Sequence, residues 1–406
     1  MRALGVIGTL VLAGGTTLAA LVPLDTAHAG TLSVIHVFTG GSDGANPSGL
    51  MEDAAGNLYG TTGEGGSYVC FGGGTVFKIA PDGTKTLLYA FAGGSDGCLP
   101  AGNLIEDKAG DFYGTTIYGG GAGCQYGIGC GTVFKLAPDG TETVLYAFTG
   151  GSDGAYANAG VIEDAAGNLY GTAEQGGNTG GHCTANGNTG CGVVFKISPK
   201  GKETTLYAFQ GGTDGNVPFS GLIEDESGNL YGTTLWGGHH GCTYGCGTIF
   251  KLAPDGTETV LHAFIHGTDG AEPGAGVIRD ASGNLYGTTP SGGPYNKGTV
   301  FRLAPDGTET VLHAFAGGTD GAHSWARVIR DKSGNVYGTT ADGGANHGGT
   351  LFKLAPDGTD TILYAFGRHS GKQPLIGVIR ETHGNLYGGT SIGPNQAYGT
   401  VFRLAE

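Results

Sequence analysis

The phrase "GTVFRLAE" at residues 399–406 stops where six earlier copies run on, as in "GTVFKLAPDGTETVLYAF" at 131–148. The missing half stands near the other end of the chain. "TLSVIHVF" at 31–38 matches "TETVLYAF" in length and in its closing phenylalanine, and a "GGSDG" of the kind that trails most such phrases follows it at 40–44. Between these halves "GNLYGTT" at 56–62 recurs as "GDFYGTT" (110–116), "GNLYGTA" (167–173), "GNLYGTT" (228–234 and 283–289), "GNVYGTT" (334–340) and "GNLYGGT" (384–390). Seven copies of one phrase and seven of the other make a tandem array of about 50 residues per unit, and such a period must be read before any local feature.

Each unit reads as four short strands. Strand a is "GLIED"-like, as at 221–225, and a D-x-[AS]-G turn follows it. Strand b is "NLYGTT". A glycine-rich loop leads to strand c, "GTVFKLA", and a "PDG" turn leads to strand d, "TETVLYAF". Proline pre-sets the bend of that turn and glycine takes its left-handed position. Four strands per period is the pattern of a β-propeller blade. A β-helix needs a shorter period. The reading is an all-β, seven-bladed β-propeller with four antiparallel strands per blade. Its ring is closed by N-terminal strand 31–38 pairing with C-terminal strand 399–404, which leaves no sheet edge open between first and last blade.

Composition agrees. Glycine fills 86 positions without a G-X-Y period, and the apolar 39% comes in short bursts rather than at helical spacing. Residues 1–29 differ: Arg2, an apolar core and "AHA" at 27–29 read as a signal peptide cleaved after Ala29, leaving 30–406 as one propeller domain. Net charge is -15, unchanged by the loss of Arg2 and Asp25. An acidic chain without a basic run is a poor partner for nucleic acid. The expectation is a secreted protein, extracellular or periplasmic, monomeric, with no membrane span after cleavage.

The recurring phrases "GNLYGTT…GG…GTVFKLAPDGTETVLYAF…GSDG" resemble the GloVer tandem repeat of exported bacterial proteins, over nearly all of 31–406. The strand a–b phrase "LIEDESGNLYGTT" is similar, more distantly, to the two-component-regulator propeller repeat. The resemblance implies an exported propeller and carries no catalytic residues with it.

Alternating strand direction puts the short a–b and c–d turns at one end of the ring. The long b–c loops and the d–a connections lie at the other, where variable segments on a rigid frame usually bind. All eight cysteines fall there. Cys124/Cys130, Cys183/Cys191 and Cys242/Cys246 each lie within one b–c loop, and Cys70 and Cys98 remain. Four disulfides are expected, although eight cysteines allow 105 pairings. "HHGCTYGC" at 239–246 offers His239, His240, Cys242 and Cys246 to a metal, but at no strong zinc spacing. Neither metal nor cofactor is expected.

Candidate ligand-binding residues on that end are Tyr118, Tyr126, Trp236, Tyr244 and Tyr295, interleaved with loop asparagines; aromatic faces beside amides suit a glycan or a protein partner. Departures from the repeat add three more. The start of strand a usually holds glycine, but blade two has Asn103 there and blade six has Arg327, just after Trp325. One residue before the turn aspartate, Glu52, Glu106, Glu163 and Glu224 give way to Arg279, Arg330 and Arg380, read as a solvated charge ring with ion pairs where the sign changes. His36, His262 and His313 alternate with tyrosine in strand d and read as structural. No HExxH or Walker loop is present. The functional expectation is an exported binding or scaffold propeller. The alternative is a secreted carbohydrate-active enzyme whose carboxylates converge near the channel.

Overall fold

The computed structural model describes residues 30–405, apart from 67–69, 122, 125–126, 179, 181–182, 184–189, 239–240 and 383; the side chain of Phe71 is also outside the description. The expected signal peptide lies outside the described residues. The remainder is a ring of seven four-stranded antiparallel sheets. Blade one is Ala45–Glu52, Leu58–Glu64, Thr75–Ile79 and Lys85–Ala90, paired in that order. Blades two to six repeat it along the chain. Blade seven takes strands a to c from Ile379–Arg380, Leu386–Thr390 and Thr400–Ala405, and its strand d is Thr31–Val37 from the N-terminal end.

The closing pair has the register expected of it. Thr31 faces Ala405, Leu32 faces Leu404, Val37 faces Thr400, and the Phe38 amide donates to Gly399 O at 3.0 Å. A bulge falls between Val34 and His36, where every other c–d pair also slips, as at Val76/Phe77 in blade one. The borrowed strand therefore copies the irregularity of its six counterparts as well as their pairing.

Blades are joined by aromatic contacts. The phenylalanine ending each strand d stands edge-on to the strand c phenylalanine of the next blade. Phe91 meets Phe134 at 5.1 Å, Phe209 meets Phe250 at 5.2 Å, and the closing step Phe38–Phe77 is 5.3 Å. These rings are fully buried. They also explain the glycine of "YGT". A Cβ on Gly60 would lie 2.7 Å from Phe77 Cζ, and one on Gly171 only 2.5 Å from Phe195 Cζ. Strand b needs glycine there to seat the ring.

Buried threonines add polar links. Thr115 Oγ1 donates to Ala159 O at 2.8 Å, Thr172 to Ser220 O at 2.9 Å and Thr339 to Pro374 O at 2.7 Å, each reaching into the following blade. Blade seven has Gly389 at this position, so the seam between its strand b and blade one lacks this bond and relies on the shared sheet. A neighbouring hydroxyl pair, such as Thr62–Thr75 at 2.8 Å, recurs in all blades except the third. There Ala173 and Val193 replace both partners, which leaves no orphaned hydroxyl.

The turns are carboxylate cages. Asp225 accepts the Ser227 and Asn229 amides and the Tyr231 hydroxyl. Partial burial opposes its charge, but these hydrogen bonds outweigh that and pull its pKa down to about 2. The [ST]-D-G aspartates accept from the strand d ring seven residues upstream: Tyr207 to Asp214 at 2.9 Å, and His313 with Asp320 at 3.0 Å. The histidines are thus structural, as expected. The following blade's strand d then brings an acid against this aspartate. Glu142 faces Asp96, Glu258 faces Asp214, and Glu309 faces Asp269 and His262; burial first, then the aspartate, pushes each glutamate up to about 7, His262 opposing this for Glu309. Blade one differs, because Lys85 sits there and its ammonium donates to Asp43 Oδ1 at 2.7 Å.

The charge ring differs from the expectation. Among the described residues no ion pair marks the change from Glu224 to Arg279. Arg279, Arg330 and Arg380 instead lie over Tyr231, Tyr286 and Tyr337 of the preceding blades, at 6.0, 5.2 and 5.4 Å. At the change from Glu224 to Arg279 an aromatic face one blade away is within reach of the guanidinium, and cation–π contact stands where the ion pair was expected.

Two outcomes are expected. Deleting residues 31–38 from the mature chain bares the edge of Thr400–Ala405 and leaves Phe77 without its partner. Size-exclusion chromatography should show aggregation, whereas a monomer melting within a few degrees of the full chain would contradict the closure. The second concerns pH. Glutamates with raised folded pKa give stability that is complete below their unfolded value, near 4.3, and lost as pH rises through 7. The turn aspartates act oppositely, and their contribution disappears as pH falls from about 3.8 toward 2. Calorimetry should therefore find the melting temperature higher at pH 5 than at pH 8. Glu258→Lys, copying Lys85, should narrow that difference.

Candidate functional site

The b–c loops and d–a connections share one end of the ring, as backbone bonds between them attest. Asn46 N donates to Tyr398 O at 2.8 Å, Tyr156 N to Cys130 O at 2.8 Å, Val217 N to Cys191 O at 3.0 Å and His323 N to Lys297 O at 2.9 Å. Each is the first or second connector residue after a D-G or S-G glycine, bound to the last residue of the preceding b–c loop. Each donor has a left-handed backbone: Asn46 φ 54, Leu99 φ 52, Tyr156 φ 62, Val217 φ 58, Glu272 φ 62, His323 φ 57 and Gln373 φ 55. Seven non-glycine residues in this conformation, one of them β-branched, are uncommon. The scaffold over-determines them, and their identity differs in every blade. Sequence reading missed this ring; its one trace was a variable residue inside an otherwise repeated connector.

Strand a is innermost. At its start the backbones of neighbouring blades nearly touch: a Cβ on Gly49 would lie 2.3 Å from Gly102 O, and one on Gly377 2.8 Å from Arg327 O. That closeness accounts for the glycines and marks the wall of the central channel. Just before it, toward the long-loop end, one register position holds Ala101, Asn158, Phe219, Gly274, Trp325 and Leu375 in blades two to seven. Trp325 is exposed and its ring packs over Gly274, 3.2 Å from where a Cβ would stand; Leu235 closes on the same spot at 3.4 Å. Asn158 hydrogen-bonds the Glu174 carboxyl, whose pKa burial raises to about 7. Neither a histidine nor a second carboxylate perturbs that group.

Of the expected site residues, Trp325, Arg327 and Asn103 lie at this channel mouth. Asn103 is exposed, with its Oδ1 against Gly49. Arg327 makes no hydrogen bond or ion pair among the described residues; its Nε is sealed from solvent without an acceptor. Trp236 and Tyr244 form a pair in the blade-four loop, with centroids 5.3 Å apart. Tyr295 is exposed on blade five. Tyr118 is not free: it is half-buried against Tyr156 at 5.2 Å, so it supports the loops. Tyr126 lies outside the described residues. Unforeseen members of this end are Ile265, Leu375 and Tyr398, all exposed.

The four disulfides are Cys70–Cys98, Cys124–Cys130, Cys183–Cys191 and Cys242–Cys246, the pairing expected from topology. The carbonyls of Cys130, Cys191 and Cys246 accept the connector amides of the next blade. The bridges therefore hold the ends of long loops where the ring needs a fixed acceptor, and blades five to seven manage with shorter loops. Cys242 and Cys246 are bonded to each other, which removes both thiolates from the metal lookalike; His239 and His240 lie outside the described residues. His313, Asp320 and Asp360 bring ligand-type atoms within 4.8 Å of one another, but at a blade seam of the kind Lys85 occupies in blade one.

Fold and face together define a disulfide-stapled seven-bladed propeller with a variable, aromatic long-loop end. The chain belongs to the Gloeobacter/Verrucomicrobia repeat family, whose model matches residues 7–244 and 239–406. No curated protein matches the chain in sequence. Among solved structures it is similar to virginiamycin B lyase from Staphylococcus aureus crystallised with quinupristin, at TM-score 0.59 and 13% identity over 93% of this chain and 99% of that one. It is also similar to the extracellular domain of a one-component system from B. thetaiotaomicron, at TM-score 0.55 and 14% identity, covering 92% of this chain and 41% of that one. At such identities the likeness concerns the fold.

The left-handed ring makes a specific prediction. Gln373→Gly keeps the backbone bond to Gly348 O and removes the side chain's cost at positive φ, so stability should hold or rise by up to about 1 kcal/mol in chemical denaturation. A loss of more than that would mean the Gln373 side chain supports the fold.

Proposed function

We propose that this protein is an exported, non-catalytic binding propeller that recognises a glycan or protein partner through its long-loop end. One observation supports it most. Of the large hydrophobic side chains that are exposed among the described residues, Tyr244, Ile265, Tyr295, Trp325, Leu375 and Tyr398 all belong to that end, and all to blades four to seven; Leu87 is the exception. Apolar exposure gathered on one face of a folded chain marks an interaction site. Tyrosine and tryptophan faces interleaved with loop amides favour a sugar chain over a flat protein surface. The four disulfides fit an oxidising compartment. No helix among the described residues is long and apolar enough to cross a membrane. Export through residues 1–29 to the periplasm or medium, as a monomer, completes the reading.

A second reading rests on Glu174. A carboxyl raised to about 7 beside the channel is suited to general acid work, so a carbohydrate-active enzyme is the alternative. It lacks a second catalytic group near Glu174 among the described residues, and the binding reading is preferred for that reason.

A glycan array probed with the mature chain tests the first reading, with Trp325→Ala and Tyr295→Ala as controls. Each variant should weaken binding by roughly tenfold or more without lowering the melting temperature. Turnover of any polysaccharide, abolished by Glu174→Gln, would favour the enzyme instead.

A further inference from the structure

Arg327 has no structural task in the fold. Five of its six counterparts are glycine and the sixth is Asn103, so the ring closes without a side chain there. Its Nε is sealed and unpaired, and it forms neither hydrogen bond nor ion pair with any described residue. Burial alone acts on its charge, lowering its pKa, and no carboxylate offsets it. An uncompensated guanidinium held partly away from water is costly. In a chain of net charge -15, acids were abundant, yet none stands beside it. The residue keeps partial exposure although it sits on the innermost strand.

We propose that Arg327 is an anion-binding centre at the channel mouth, which takes the carboxylate of an acidic sugar while Trp325 lies against the sugar ring. This rests on the reading of the long-loop end as a binding face. A guanidinium presents paired donors that match a carboxylate's two oxygens. No other lysine or arginine occupies the strand a starts or the two positions before them in any blade, so the site offers one positive charge and suits a monoanion. Trp325, two residues upstream and exposed over Gly274, supplies the aromatic face that a sugar needs and a free inorganic anion does not.

Calorimetric titration of the mature chain tests this with a galacturonate tetramer, a neutral galactose tetramer, free glucuronate, sulfate and phosphate. The variants are Arg327→Gly, Arg327→Lys and Trp325→Ala. Arg327→Gly restores the commonest residue of the repeat and should melt no lower than the wild type. The acidic tetramer should bind the wild type at least about tenfold more tightly than the neutral one, and Arg327→Gly should erase that preference, so that it binds both tetramers alike. Arg327→Lys should retain part of it. Equal binding of acidic and neutral tetramers by the wild type, or an undiminished preference in Arg327→Gly, overturns the proposal. So does the absence of binding by every acidic probe. Arg327-dependent binding of sulfate or phosphate without the sugars overturns the sugar assignment. Loss of neutral binding in Trp325→Ala with no effect of Arg327→Gly would overturn this inference and leave the binding face standing.

Discussion

Each blade places a phenylalanine at the end of its outermost strand, edge-on to the central-strand phenylalanine of the next blade. Much else follows from that contact. The ring must be seated, so strand b carries glycine beneath it. The contact runs in one direction around the circle, so the last blade needs a strand d to offer Phe38 to Phe77, and that strand comes from the far end of the chain. An isolated blade buries neither face of its sheet; the seven become stable only as a closed set.

Around this hub the polar groups are arranged to satisfy the ends of strands. Turn aspartates collect amides and a tyrosine hydroxyl, connector aspartates collect a strand d ring, and buried threonines reach the next blade's carbonyls. The cost appears at the seams, where a glutamate is held against an aspartate and retains its proton well above the usual carboxylate range. Blade one resolves the same crowding with Lys85. One fold therefore contains both solutions to one electrostatic problem.

Because the scaffold repeats, deviation is informative. The left-handed connector residues hold seven different side chains on one backbone geometry, and Arg327 interrupts a ring otherwise built of glycine and one asparagine. The likeness to a lyase and to a sensor's extracellular domain belongs to the ring they share. These departures are what the symmetry does not require.

The sequence by itself determined the repeat, the four strands per unit, the borrowed strand and the four disulfide partners. All of these depend on residues close in the chain or on a register that a period of about 50 preserves. Trp325, Arg327 and Asn103 were legible as breaks in a pattern. Their neighbourhood was not: Gly274 under Trp325 and Leu235 beside it meet only when strands from different blades converge at the axis. Arg279, expected to pair with a glutamate where the sign changes, lies over Tyr231 for the same reason. Periodicity fixes what a blade is; only closing the ring decides which side chain of one blade faces which of the next, because those contacts span a whole repeat and depend on the angle between sheets.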